Sequence, residues 1–190
     1  MRIRQLKQND TTQINQVALI HYEELYDISR MSRCGLRFLR EFYQTVAKQK
    51  ESVLLAAVSK ENSVIGFVLA SVEAEEYLLS VLREMPKAVF LRPCAFAYRV
   101  FRSFSSFTKK NKPVGEAEIV FIAVDKKWKG MGIALQLIED LLPILRGERI
   151  SRIHLQVFKN NESARRLYDK LQFEKSANTS SEKLILHRTL

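Results

Sequence analysis

Apolar positions along the chain recur with two periods, and the alternation between the periods predicts a succession of strands and helices. Arg2-Ile3-Arg4-Gln5-Leu6 alternates like an edge strand. Asn9 to Thr12 then offer capping residues for a helix whose apolar face is Ile14, Val17, Ala18 and Tyr22. After Gly35, the residues Leu36, Leu39, Phe42, Tyr43 and Val46 return at intervals of three and four, the stripe of a second helix laid on a core. Val53 to Val58 and Val64 to Ala70 flank the polar turn Lys60-Glu61-Asn62-Ser63 and read as a hairpin, with Gly66 marking a bulge or a close approach.

Residues 72 to 112 break this rhythm. They hold a helical stretch around Tyr77 to Met85 and a second around Phe90 to Phe107, separated by Pro86 and interrupted by Pro93. In the second, Phe90, Phe96, Tyr98, Phe101, Phe104 and Phe107 interleave with Arg92, Arg99 and Arg102 and run into Lys109, Lys110 and Lys112. The first expectation is a helical cover packed on the sheet; a lid over an acceptor or a dimer surface comes next, then a membrane-surface helix or a nucleic-acid patch. The pattern resumes with a strand at 117 to 124, a helix at about 132 to 146, a strand at about 151 to 158, a helix at about 161 to 171 and a strand at about 182 to 188. That succession predicts an α/β fold with helices covering a sheet. Pro143 is expected to bend or shorten the first of these helices. No linker, repeat or low-complexity tract divides the chain, so residues 1–190 read as a single domain.

Composition narrows the picture. A hydrophobic fraction of 46% over 190 residues is enough for one buried core. No run of about 18 or more apolar residues occurs and Met1 to Leu6 lacks the apolar centre of a secretion signal, so a soluble, cytoplasmic protein without a membrane span is expected. Cys34 and Cys94 stand far apart without companion histidines, which argues against a disulfide framework or a zinc site, and no metal is expected. His21, His154 and His187 fall on separate elements, and nothing in their spacing gathers them around a metal or a nucleophile. His21 and His187 default to surface or packing roles, while His154 lies beside the strand that carries the candidate site and is the one of the three placed to reach the substrate. The formal net charge of +10 raises nucleic acid, membrane and acidic substrates as partners. Lys126, Lys127, Lys129, Lys159, Arg165 and Arg166 gather around two loops where a polyanion would account for part of it.

The first of those loops follows Glu118-Ile119-Val120-Phe121-Ile122-Ala123-Val124 and reads Lys129-Gly130-Met131-Gly132-Ile133-Ala134. A strand delivers the backbone to one point, the glycines let amide groups approach an anion, and the next helix aims its positive end there. Gly130 and Gly132 are also what any tight strand-to-helix turn needs. No Gly-Lys-Ser/Thr ending marks a Walker loop, and no third small residue with an acidic ribose partner marks a dinucleotide fingerprint. One strand and one loop downstream, Asn161-Glu162-Ser163-Ala164-Arg165-Arg166-Leu167-Tyr168 reads as a capped helix closed by Phe173.

Together these segments resemble the GNAT superfamily of acetyl-CoA-dependent N-acyltransferases. The superfamily pattern Arg/Gln-x-x-Gly-x-Gly/Ala falls on Lys129, Gly132 and Ala134, and its Asn-x-x-Ala-x-x-Leu-Tyr pattern on Asn161, Ala164, Leu167 and Tyr168. Two positions depart from it. Lys129 keeps a charge near the phosphates but lacks the planar fork of Arg, and Gln172 stands where the family has Gly. The resemblance spans residues 117 to 173, extends plausibly to the strands before them, and says nothing of 72 to 115.

The resemblance implies a mixed, strongly twisted sheet flanked by helices, with the helical insertion placed before the central cofactor strand. Two central parallel strands would splay to admit the cofactor arm. It implies acetyl-CoA as co-substrate and a primary amine as acceptor, attacked directly in a ternary complex. Backbone groups of Ile122, Ala123 and Val124 would meet the acetyl carbonyl and pantetheine, Lys129 to Ala134 the pyrophosphate, and Asn161 with Ala164 the pantetheine arm. Ala-Glu-Ile-Val-Phe-x-Ala-Val resembles the strand of the histone acetyltransferase branch whose Glu is the general base, which makes Glu118 the base, with Glu116 or a water chain as alternatives. Tyr168 would protonate the leaving sulfur, although its ring at that position also suits plain packing. Competing readings are a noncatalytic nucleic-acid-binding module built on the basic aromatic insertion, and a CoA-binding regulator without turnover. The amine's identity, and whether the chain is a monomer or a homodimer, stay open.

Overall fold

The computed structural model describes residues 1–72, 74–85, 115–176 and 181–190. Among these residues seven strands form one sheet: β1 (Arg2–Gln5), β2 (Ser52–Val58), β3 (Val64–Val72), β4 (Glu116–Val124), β5 (Arg152–Phe158), β6 (Glu174–Lys175) and β7 (Lys183–Thr189). Their spatial order is β1-β2-β3-β4-β5-β7-β6. Every neighbouring pair is antiparallel except β4 and β5. The sheet is therefore mixed, and its one parallel pair lies near the middle.

Helices α1 (Thr11–Glu24), α2 (Leu36–Val46) and α3 (Ala74–Glu84) cover one face; α4 (Ile133–Gly147) and α5 (Glu162–Lys170) cover the other. Because both faces are covered, β2 is buried at all seven positions, with Leu54, Ala56 and Val58 in the first core and Val53, Leu55 and Ala57 in the second. That is why its sequence is a continuous apolar run rather than an alternation. The predicted stripe of α2 holds: Leu39, Phe42, Tyr43 and Val46 are all buried. Tyr77, Leu78 and Val81 of α3 and Met85 just after it join the same core, as the cover reading expected for the first part of the insertion. The stretch expected around Phe90 to Phe107 lies outside the described residues.

Two expectations change. Pro143 does not end its helix: α4 continues to Gly147, because Leu137, Ile138, Leu141, Leu142 and Leu145 hold a buried stripe across the proline. The two-residue β6 was too short to carry any periodicity. At Gly66 both readings apply. Ile65 is an extra residue between Val64 and Gly66 in the β2–β3 ladder, and a Cβ at Gly66 would lie 3.1 Å from the Ala123 carbonyl oxygen and 3.2 Å from Ile133 Cγ2.

The end of α5 explains the odd residue at 172. Phe173 N–H donates to the Tyr168 carbonyl at 3.0 Å and Gln172 N–H to that of Asp169 at 3.0 Å, a Schellman closure sealed by the edge-to-face rings of Tyr168 and Phe173. That motif places Gln172 at φ +58°, where a side chain is strained. Gln172→Gly is expected to stabilise the fold by about 1 kcal/mol, raising Tm by about 2–4 °C for a chain of this size. A lowered Tm would show that the Gln side chain contributes more than its strain costs.

His21 is fully buried on α1, between the Tyr43 hydroxyl (2.6 Å from Nδ1) and the Ser29 hydroxyl (2.9 Å from Nε2). With the ring neutral, one nitrogen donates and the other accepts, and the two hydroxyls suit either tautomer. Burial drives its pKa down to about 3 from an ordinary 6.5. Below about pH 6.5 the unfolded chain binds a proton that the folded chain refuses. Stability should therefore fall by up to about 1.4 kcal/mol per pH unit as pH drops through that window. Urea midpoints between pH 6.5 and 4 are expected to fall more steeply in the wild type than in His21→Gln. Equal slopes would mean the imidazole is not held neutral.

Candidate active site

The site begins where the parallel pair stops pairing. Glu116, Ala117, Glu118 and Ile119 oppose Arg152, Ile153, His154 and Leu155, and no pair follows. At the same point Val120 is an extra residue in the β3–β4 ladder, which passes from Ile119↔Ala70 to Phe121↔Leu69. The bulge turns Val120 and Phe121 to the same face, and Phe121 is fixed there by His21 at a ring distance of 4.5 Å and by Phe42 at 6.4 Å. Among the described residues, the strand from Val120 to Val124 keeps only β3 as a partner. Alternate peptides among Ile122, Ala123 and Val124 thus turn their N–H and C=O groups into the gap.

Beyond β4, Asp125 caps a 3₁₀ turn (Lys126–Trp128) by accepting from Lys127 N–H at 2.9 Å. Gly130 and Gly132 then adopt φ +82° and +77°, and a Cβ on either would meet nothing within 4 Å. Gly132 is the N-cap of α4 and no side chain caps it, so the first turn presents its amide groups at an open surface. Met131 is exposed, whereas Ile133 is buried and anchors the turn from below. An open glycine cradle at an uncapped helix start fits a phosphate group. Lys129 Nζ lies 2.6 Å from Glu24 Oε2, and Glu24 also accepts from Lys126 N–H at 3.0 Å.

Across the gap, Asn161 caps α5 by accepting from Ala164 N–H at 3.1 Å, the capping reading of that residue. Tyr168 is buried on the α4/α5 side, where burial pushes its phenol up to about 12. Glu118 faces the opposite side, since its neighbours Ala117 and Ile119 point into the α4/α5 core. Its Oε2 lies 3.3 Å from His154 Nε2, and both side chains are largely buried. Glu116, one step earlier on the same face, lies 3.3 Å from Arg152 Nη1. The two proposed catalytic side chains thus stand on opposite faces of the sheet, Glu118 next to the point where β4 and β5 part.

A profile of the acetyltransferase (GNAT) family matches residues 19–173, most of the chain. The chain belongs to the GNAT acetyltransferase family. It is an acyltransferase, with the mixed sheet of that family. Solved structures agree in fold. The chain is similar to the PaiA N-acetyltransferase of Thermoplasma acidophilum, crystallised with coenzyme A, at 14% identity over 100% of this chain and 98% of that one, with a TM-score of 0.65. It is similar to Arabidopsis thaliana NAA60, crystallised with acetyl-CoA, at 20% identity over 100% and 98% (TM-score 0.60). It is also similar to the ribosomal-protein-S18-alanine N-acetyltransferase of Escherichia coli, at 15% over 99% and 92% (TM-score 0.58). No curated protein sequence matches the chain significantly.

For this GNAT protein, sequence reasoning missed two features of the site. Glu24, at the end of α1, holds Lys126 and Lys129 ahead of the glycine turn and is separated from them by about a hundred residues, a pairing no local pattern reveals. The histidines are the second. His187, expected to have a surface or packing role, is the register partner of His154 across β5 and β7, and His154, expected beside the site strand, reaches Glu118. Among the described residues no helix is long and apolar enough to cross a membrane.

Proposed function

We propose that the protein transfers an acetyl group from acetyl-CoA to a primary amine of a small molecule or protein, by direct attack within a ternary complex. The observation that carries this reading is Glu118, a largely buried carboxylate one residue before β4 and β5 part, within 3.3 Å of His154. Acetyl-CoA would supply a thioester carbonyl as electrophile. An ammonium ion has no lone pair to attack it, so Glu118 takes a proton from the acceptor nitrogen, directly or through a water. The open peptides of Ile122, Ala123 and Val124 bind the acetyl carbonyl and the pantetheine. The Tyr168 phenol, pushed up to about 12 by burial, carries its proton at neutral pH and donates it to the departing sulfur.

Lys129 and the backbone of Gly130, Met131, Gly132, Ile133 and Ala134 take the pyrophosphate, with Lys129 exchanging its contact with Glu24 for phosphate. Asn161 uses its side-chain oxygen in the cap, leaving Nδ2 as the group that reaches the pantetheine arm beside the small Ala164. The working unit is one domain of residues 1–190, supported by a single sheet that runs from Arg2 to Thr189. A cytoplasmic location and a monomeric or homodimeric state belong to the same proposal.

Calorimetric titration with acetyl-CoA tests the reading first, followed by thiol-release assays on amino acids, polyamines, amino sugars and peptides with free N-termini. Saturable one-to-one binding and turnover with one amine class are expected. No binding by folded protein would sink the reading, and binding without turnover would make the chain a CoA-binding regulator.

A further inference from the structure

Glu118 begins a row of titratable side chains that crosses the sheet on the α1/α2/α3 face. Its Oε2 lies 3.3 Å from Nε2 of His154 on β5. His154 is directly opposite His187 on β7, and His187 is directly opposite Glu174 on β6, with His187 Nε2 3.8 Å from Glu174 Oε2. The row shares one face because the flanking Ile153, Leu155 and Leu186 all point into the opposite core. Side-chain exposure along it is 16% at Glu118, 14% at His154, 28% at His187 and 82% at Glu174. The row is thus enclosed at the site and opens at the sheet edge.

We propose that His154, His187 and Glu174 carry the proton that Glu118 removes from the acceptor amine out to solvent. The inference rests on Glu118 being the base. In the reaction a C–N bond forms, the C–S bond breaks and its electron pair leaves with sulfur. An ammonium nitrogen enters with three protons and ends as an amide with one. One of the two lost protons accompanies the thiol, replacing that given by Tyr168, and the other reaches Glu118. That second proton must leave before the next turnover, and Glu118 is largely buried.

An imidazole accepts a proton on one ring nitrogen and releases one from the other, so two in series pass a proton where a hydrogen bond or a bridging water joins them. Directly opposed residues in an antiparallel pair have Cβ atoms about 5 Å apart, a span that two rings, or two rings and one water, can bridge. Other charged groups face this path. Arg152 and Glu116 pair at its β4–β5 end; Lys183 on β7 acts electrostatically on Glu118, and Arg30, between α1 and α2, acts on Lys183. Tyr77 of α3 lies in the core on the same side, and Ser71 of β3 is directly opposite Glu118.

The test uses the full-length enzyme with the best acceptor from the amine panel. It compares wild type with His154→Gln, His187→Gln and Glu174→Gln in dilute and in concentrated imidazole buffer. His187→Gln is expected to lower kcat about tenfold in dilute buffer, leave the acetyl-CoA KM unchanged, and regain most of the loss in concentrated imidazole. Glu174→Gln should do the same more weakly, and wild type should be insensitive to buffer. His187 is at the rim, so its variant tests the path even if His154→Gln fails to fold. Wild-type kcat in dilute buffer for both rim variants, or a loss that imidazole does not restore, would overturn the relay while leaving Glu118 as base. Wild-type turnover by Glu118→Gln, or no turnover with any amine, would remove the base reading and the relay with it.

Discussion

Glu118→Gln is expected to lower kcat by about 100- to 1,000-fold while leaving the acetyl-CoA dissociation constant within about twofold of wild type. Gln has the shape of Glu and can still hydrogen-bond His154 Nε2, so the row on that face keeps its geometry. What it loses is the capacity to take a proton. An acceptor whose ordinary pKa lies well above neutrality is then left almost entirely as the non-nucleophilic ammonium ion. The loss should shrink at high pH, where more of the amine is already neutral. Glu116→Gln is the matched control: Glu116 is held by Arg152 at the far end of the strand pair, and kcat should stay within about twofold. Wild-type turnover by Glu118→Gln across the pH range would mean that another base acts, and a collapse with Glu116→Gln would name it.

How much of this was legible beforehand varies with the range of the interaction. The helical stripe of Leu39, Phe42, Tyr43 and Val46, and the glycine turn at 130 and 132, are local patterns that local physics enforces. The bulge at Val120 is not. Ile119, Val120, Phe121, Ile122 and Ala123 are all apolar because both sheet faces are covered, so no alternation exists whose break would show the extra residue. The strain at Gln172 could be suspected only from the missing glycine, and it became evident with the Schellman bonds. At Pro143 the expected shortening did not occur, because a buried stripe runs across the proline. The opposition of His154 and His187 was the least visible, because it arises only from the register of two strands between which the chain also forms α5 and β6. Two polar residues on different strands carry no periodicity that betrays their pairing.

Gly132→Asp should raise the acetyl-CoA KM at least about 100-fold, equivalent to about 2.7 kcal/mol of lost binding, in a chain that remains folded. Three observations make this substitution discriminating. At φ +77° the backbone is one that Asp tolerates better than most side chains. A Cβ there meets nothing within 4 Å, so no clash unfolds the loop. And Gly132 is the uncapped N-cap of α4, where a carboxylate can accept from the first-turn amides and stabilise the helix. The variant satisfies internally the donors that the pyrophosphate would use, and places a negative charge against it. Gly132→Ala shares the strain without the charge, and should raise KM by no more than about tenfold. If Asp and Ala behave alike, backbone distortion rather than competition for the anion site is responsible. If neither moves KM while both chains melt as wild type does, the pyrophosphate binds elsewhere and the glycines serve only to turn β4 into α4.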